Sequence, residues 1–320
     1  MIKIERDNIE EDYGSIAAEY FDELKKYMKK STAERPFLYN FLISSGELRF
    51  DILFCKPEKF KGIIEDFHDR HKTEIQKYKE IEKRIKTATN KVDKENFEKE
   101  LKTTEYYKFC KYMNDRYEYF IDKNGSWLSK ELKVDTCPYC NRQYTFTVNS
   151  KKKTRPQFDH FYPKSKYPYL ALSFYNLVPC CPVCNHIKGE DEIDFHPYIK
   201  GFGNDFQFSV NYWDYIFRND EVKVLLKNKK NKKTRNRNIE IFALNELYTQ
   251  HKDYVQEIID KAHAYNDDYY NGIIETFSAI GKSSSEINCL IFGNYIDTVD
   301  HEKRPLSKLT KDILEQIGLM

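Results

Sequence analysis

The sequence predicts an α+β, mainly helical protein, with a small zinc-clamped core at its centre flanked by helical N- and C-terminal regions. Three observations carry this. Long stretches at both ends place apolar residues at helical spacing on otherwise charged segments. Two Cys-x-x-Cys pairs, Cys137 with Cys140 and Cys181 with Cys184, stand forty residues apart near the middle. Short runs of alternating aromatic and β-branched residues lie between those pairs and again beyond residue 200.

The chain has 320 residues, enough for two or three domains of roughly 100 to 200 residues each. Three regions are expected: a helical part over 1–130 that covers the core or docks a partner, the core over 131–200, and an α+β part over 201–320 in which strands precede helices. Lys and Arg number 53 against 51 Asp and Glu, a net charge of +2, so any polyanion-binding surface must be local. The 25 Tyr and 22 Phe supply packing area and polar tips for binding surfaces.

Taken in order, Tyr20, Phe21, Leu24, Tyr27 and Met28 recur at helical spacing over residues 19–30. Between Phe60 and Lys102 the stripe Ile75, Tyr78, Ile81 and Ile85 suits one long helix or a helical hairpin turning near "TATNKVD". A third helix is expected over Glu105 to Asp122, with "DKNGS" as a loop. "QYTFTV" (143–148) and "RPQFDH" (155–160) then read as two strands of a hairpin around the turn "NSKKKT". A helix is expected to begin at about Cys184. "FQFSVNYW" and "EVKVLL" are strand-like, the basic run over 227–238 is a loop, and helices follow through Leu247, Val255, Ile258 and Ile259 and again from "RPLSKLTKDIL".

The longest uncharged run, Tyr167 to Ile187, contains three Pro, three Cys and two Asn, which disqualifies it as a transmembrane helix. The start "MIKIERDNIEEDYG" lacks the apolar core of a secretory signal, so the expected location is the cytoplasm. In that reducing compartment paired cysteines are more readily metal ligands than disulfides, and four thiolates suit tetrahedral Zn. Cys180 adjoins the second pair without sharing its spacing. Cys55, Cys110 and Cys289 are isolated and read as core thiols.

Asp159, His160, Asn176 and Asn185 are interleaved with the two cysteine pairs. Histidine near its ordinary pKa can take a proton from water, and Asp and Asn oxygens suit Mg or Mn; hydrolysis of a phosphodiester needs both. Lys151, Lys152, Lys153 and Arg155 sit on the turn beside this group. Lys227 to Arg237 holds seven Lys or Arg in eleven residues, among them Lys229, Lys230, Lys232, Lys233, Arg235 and Arg237. Both stretches are candidates for phosphate contacts, or simply solvated loops.

The segment Cys137 to Gly189 resembles the HNH endonucleases through "CPYC", "DHFYPKS", "NLVPCCPVCN" and "KG", in that order. The resemblance implies a ββα-metal core clamped by structural zinc on the four cysteines. It also implies a general base at His160, metal ligands at Asp159 and Asn185, and a residue at Asn176 that orients the base and its loop. The family often has His at the position of Asn185; His186 directly behind it and His196 in "DFHPY" are further candidates for the second ligand. With "ALNELYTQHKDYV" and "RPLSKLTKDIL", the arrangement is similar to bacterial anti-phage HNH nucleases such as the Septu nuclease subunit and retron-associated HNH proteins. That similarity implies a DNA-cutting effector, or an RNA-cutting one, beside an ABC- or SMC-like ATPase. The chain has no Walker-type lysine motif of its own, so the ATPase would be a separate protein. A silent zinc-ribbon module that binds nucleic acid is the alternative outside the enzyme class.

Overall fold

The structure is a computed structural model that describes residues 1–5, 9–21, 24–26, 29–30, 36–148, 150, 154–218, 220–229, 236–265 and 267–319. It is α+β and mainly helical. The chain forms two compact units, each assembled from separate stretches: residues 6–132 with 159–178, and residues 1–5 with 133–158 and 179–320.

In the first unit, α1 (Glu10–Glu19) opens with Glu10, Glu11 and Asp12, whose charges favour the N-terminal end of the helix dipole. This helix ends where the sequence pattern expected one to begin; of the expected 19–30 segment, residues 22, 23, 27 and 28 lie outside the described residues. A short hairpin, β1 (Ile43–Ser44) and β2 (Glu47–Leu48), precedes α2 (Phe50–Leu53). Gly14 of α1 lies against Phe54: a Cβ there would fall 1.7 Å from the ring's Cζ, so only glycine allows this approach.

The charged stretch resolves into α3 (Phe60–Arg70), α4 (Lys72–Thr87) and α5 (Lys91–Thr103). The hairpin reading is therefore the correct one. Its turn is set by Asn90, whose side chain accepts the Asp93 N–H at 2.8 Å and caps α5. Helix α6 (Glu105–Leu132) is the spine of the unit. Tyr106, Phe109, Met113, Tyr117, Phe120 and Leu128 bury one continuous face. It runs straight through "DKNGS", read above as a loop, because Asn124 donates to the Tyr20 hydroxyl at 2.7 Å and Gly125 is buried. Tertiary contacts outweigh the low helix propensity of these residues. Phe67 gathers the aromatic core, stacking on Tyr169 at 4.0 Å with Phe41 and His71 both at 4.7 Å.

The strands β3 (Gln157–His160) and β4 (Leu177–Cys180) pair with each other, and each carries the chain from one unit to the other. This differs from the expected hairpin of 143–148 with 155–160. Among the described residues, 143–148 form no named strand but the isolated bridges Thr136 to Tyr144 and Val148 to Thr154, and Tyr144, Phe146 and Val148 are exposed. The partner of β3 comes from twenty residues downstream, a pairing that local alternation does not announce.

In the second unit, α7 (Pro182–Lys188) starts with Pro at its first position and ends on Gly189 at φ +49°, a conformation that favours glycine. The expected strands are β5 (Phe206–Val210) and β6 (Val224–Asn228), antiparallel with Phe208 opposite Leu226. Their inward residues Phe206, Phe208, Val210, Val224 and Leu226 are buried. Between them lies α8 (Tyr212–Arg218), and after β6 come α9 (Arg237–Ile241), α10 (Leu244–Thr249), α11 (Lys252–Ala264), α12 (Asp267–Ala279), α13 (Ser284–Phe292) and α14 (Ser307–Gln316). Helix α14 satisfies the open edge of β5 with side chains. Asp312 accepts the Phe208 N–H at 2.8 Å, and Gln316 both accepts from and donates to the Val210 backbone. A buried Lys308–Asp312 ion pair at 2.9 Å holds the carboxylate in place.

Candidate metal centre and active site

Cys137, Cys140, Cys181 and Cys184 form one buried cluster, their sulfurs all within 4.8 Å of one another. A tetrahedron of thiolates about 2.3 Å from zinc has edges of about 3.8 Å. The 4.0 Å separation of the Cys140 and Cys181 sulfurs nearly meets that figure, and the widest needs a contraction of roughly 1 Å by the same geometry.

Local structure builds the cluster. At the first knuckle the Cys137 N–H donates to Gln143 O at 2.9 Å and the Asn141 N–H to Cys137 O at 2.7 Å. Asn141 sits at φ +49°, where Asn is one of the few tolerated side chains. Its amide donates to Thr136 Oγ1 at 3.0 Å and to His301 O at 2.9 Å, fastening the knuckle to the chain ahead of α14. At the second knuckle Cys181 caps α7. Backbone N–H groups point at two sulfurs, Arg142 at Cys140 and Cys184 at Cys181, each at 3.4 Å, and donors so placed stabilise thiolates. The Tyr248 hydroxyl donates to the Cys140 carbonyl behind them.

Burial pushes the Cys137 thiol well above its ordinary pKa, while hydrogen bonds led by that from Cys137 hold Cys181 below it. Four adjacent buried thiolates repel one another unless a cation lies among them, so the donor set is compatible with zinc. Of the remaining cysteines, Cys180 and Cys55 are buried, whereas Cys110 and Cys289, also read as core thiols, are half-buried; burial raises Cys110 to about 12.

His160, on β3, is buried, and its Nε2 lies 3.0 Å from the carbonyl of Ala171. A carbonyl can only accept, so the neutral ring carries its proton on Nε2 and its basic lone pair on Nδ1. The Tyr117 ring meets the imidazole edge to face at 4.4 Å. Asp159, next in the strand, is buried as well.

Asn176 is fully buried and bonded through both ends of its amide. Its Oδ1 accepts the Tyr162 N–H at 2.7 Å, and its Nδ2 donates to the carbonyls of Tyr162 at 3.1 Å and Leu170 at 3.0 Å. The Phe161 N–H donates to the Asn176 carbonyl at 2.9 Å. The segment following His160 is therefore closed on itself through this one residue. Lys164 lies in that segment, its Nζ 4.8 Å from the Tyr117 ring centroid and 3.4 Å from Glu118.

Asn185 and the alternative ligands belong to the unit that contains the cysteines, whereas Asp159, His160 and Asn176 belong to the other. Asn185 donates from Nδ2 to Gln157 Oε1 at 2.7 Å. His186 is exposed. His196 is buried and accepts the Tyr198 N–H at Nδ1, 3.3 Å away, so its ring proton is on Nε2.

Among the basic candidates, Arg155 donates to Pro156 O at 3.0 Å and faces the Phe158 ring. The Lys229 N–H donates to Asp205 O at 2.8 Å, and the Arg237 N–H to Asp194 at 2.9 Å at the start of α9. Lys151, Lys152, Lys153, Lys230, Lys232, Lys233 and Arg235 lie outside the described residues.

Sequence reasoning missed Tyr117, the Ala171 carbonyl and Lys164. Only Lys164 had a signal, its place in "DHFYPKS". It also missed Arg142, whose Nε donates to His251 Nε2 at 2.9 Å; burial, and next Arg142, keep His251 below its ordinary pKa.

No protein family, curated protein or solved structure matches the chain. Fold and site together define an α+β, mainly helical protein with a buried four-cysteine site compatible with zinc. Among the described residues no helix is long and apolar enough to cross a membrane.

Proposed function

We propose that the protein is a metal-dependent endonuclease of the HNH class that hydrolyses DNA phosphodiesters. The observation that carries the reading is the 3.0 Å approach of His160 Nε2 to the Ala171 carbonyl. With Nε2–H on the Ala171 carbonyl, Nδ1 is the nitrogen able to take a proton from water. The hydroxide so formed attacks phosphorus, and the bond to the leaving oxygen breaks as that oxygen acquires charge. By the resemblance, Mg or Mn with Asp159 among its ligands would supply the positive charge that stabilises it.

Asn176 acts as a positioning residue: its bonds to Tyr162 and Leu170 fix the loop that brings the Ala171 carbonyl to His160. Zinc on the four cysteines is structural in this reading. The order of the two knuckles, Asp-His, Asn and the final Asn supports the same class. By the wider resemblance in "ALNELYTQHKDYV" and "RPLSKLTKDIL", the proposal extends to a cytoplasmic anti-phage effector acting with a separate ABC- or SMC-like ATPase.

The test is cleavage of supercoiled plasmid and of RNA with Mg or Mn, comparing the parent with His160→Ala. Loss of metal-dependent cutting in the variant supports the reading, and the substrate that is cut names the class. Undiminished cutting by folded His160→Ala removes His160 from the chemistry. If neither protein cuts, with or without the ATPase, a silent nucleic-acid-binding module is left.

A further inference from the structure

The unit that carries His160 has open grooves that differ in charge. One, beside α1, is lined by Glu10, Glu11, Phe54, Lys56 and Tyr175 and is acidic on balance. A second, along α3 and α4, mixes Lys72, Lys79 and Lys83 with Asp69 and Glu80. The third, about 650 Å³ along the first half of α6, is lined by Lys102, Lys108, Lys111 and Arg116 with a single carboxylate, Asp115.

Two features make the third groove more than a solvated helix face. First, its cations are largely uncompensated. Lys108 pairs with Glu105 at 2.9 Å, but among the described residues Lys102, Lys111 and Arg116 have no carboxylate within ion-pair distance. Second, Arg116 is held ready. Its guanidinium lies over the Tyr112 ring, 5.4 Å from the centroid, and its Nε is buried without a hydrogen-bond partner. A cation already stripped of part of its water costs less to bring against an anion.

We infer that this groove along α6 binds the sugar-phosphate backbone of a nucleic acid strand. The inference rests on the nuclease reading and assigns that activity a substrate track. The dimensions suit it. Lys108 and Arg116 are eight residues apart, about 12 Å along a helix rising 1.5 Å per residue. One strand of B-form DNA presents a phosphate about every 3.4 Å of axis, so the row spans about three phosphate steps. Lys102, at the end of α5, lengthens the row, and the Tyr107 ring in the lining offers an apolar face to sugar or base. The same helix carries Tyr117 against His160, so one rigid element supports both the track and the proposed base.

The test uses the full-length chain without added Mg or Mn and reads anisotropy of a labelled 20-base-pair DNA duplex and of a single-stranded RNA over a range of salt. One variant combines Lys102→Gln, Lys111→Gln and Arg116→Gln. The control combines Lys72→Gln, Lys79→Gln and Lys83→Gln, which removes the same charge from the mixed groove. The first set should flatten the slope of log affinity against log salt by about 0.9 for each duplex phosphate no longer neutralised, or roughly 2 to 3 in all, and weaken binding at least tenfold. The control should retain the parental slope. An unchanged slope in the groove variant, an equal flattening in the control, or a parent that binds neither probe overturns the inference. Cleavage is scored separately with Mg or Mn: a parent that binds with the expected slopes but never cuts refutes the nuclease reading and leaves the track standing. A parent that cuts while the groove variant keeps its slope does the reverse.

Discussion

Replacing Asn176 with alanine tests the feature on which the geometry around His160 depends. The substitution removes one accepted and two donated hydrogen bonds, those of the Tyr162 N–H and of the carbonyls of Tyr162 and Leu170; the Leu170 carbonyl keeps the Ser173 N–H at 3.1 Å. Asn176 is fully buried, so water does not replace these partners without the loop opening. A buried group left unsatisfied costs about 1 to 3 kcal/mol, and these coupled losses, with Leu170 still partly satisfied, sum to roughly 3 kcal/mol. At about 1.4 kcal/mol per factor of ten, the opening equilibrium of the loop rises by about a hundredfold. Amide hydrogen exchange reads this directly, because Tyr162 exchanges only when the loop opens. Phe161 is an internal control: its N–H bonds to the Asn176 backbone carbonyl, which the substitution leaves in place, so it should lose less protection. Asn176→Asp restores the acceptor for Tyr162 but sets a carboxylate against two carbonyl oxygens, and should be no more stable than alanine. If Tyr162 keeps its protection within about threefold in Asn176→Ala, the side-chain bonds do not hold the loop and the positioning role fails.

Two further outcomes follow from the burial of other groups. The purified chain should contain about one zinc, and Cys181→Ser should release it. Structural zinc contributes about 10 kcal/mol or more, as much as a whole domain's stability, so the unit holding the cysteines should then melt; a zinc-free variant with unchanged melting would contradict the role. His301 is buried, its Nε2 donating to Ile296 O at 3.1 Å, and burial lowers its pKa to about 4. The unfolded chain, with an ordinary value near 6.5, binds the proton more readily. Its contribution, up to about 3 kcal/mol, is therefore complete above pH 6.5 and lost as pH falls toward 4. His71, in the other unit, is shifted the same way to about 4. Thermal unfolding across that range should show both units weakening, with His301→Gln flattening the dependence of the unit that contains it; an unaltered profile in that variant would show that His301 is not the responsible group.

Features that were legible in the sequence are those whose signal is local. Two Cys-x-x-Cys pairs meet in space because each knuckle is a tight turn with its own hydrogen bonds, and "TATNKVD" turns because Asn90 caps the next helix from one residue before it. The alternation in "FQFSV" and "EVKVLL" becomes a real ladder because both strands bury one face. What stayed hidden depends on distant partners. "DKNGS" is helical only because Tyr20 and the buried face of α6 are there to receive it. The strand "QFDH" pairs with Leu177–Cys180 rather than with its predicted neighbour. The tautomer of His160 is set by a main-chain carbonyl, and a backbone acceptor has no letter in the sequence.

The interleaving of the two compact units governs how the molecule can be made and divided. Each is sewn from pieces separated by more than one hundred residues or by a return excursion, so neither is complete until ribosomes have passed well beyond its first segment. The unit bearing His160 lacks its second stretch until residue 178 has been synthesised, after the first cysteine pair but before the second. No single cut of the chain releases either unit intact. Neither can be exchanged as a cassette by one recombination event, so His160 and the four-cysteine cluster are inherited together.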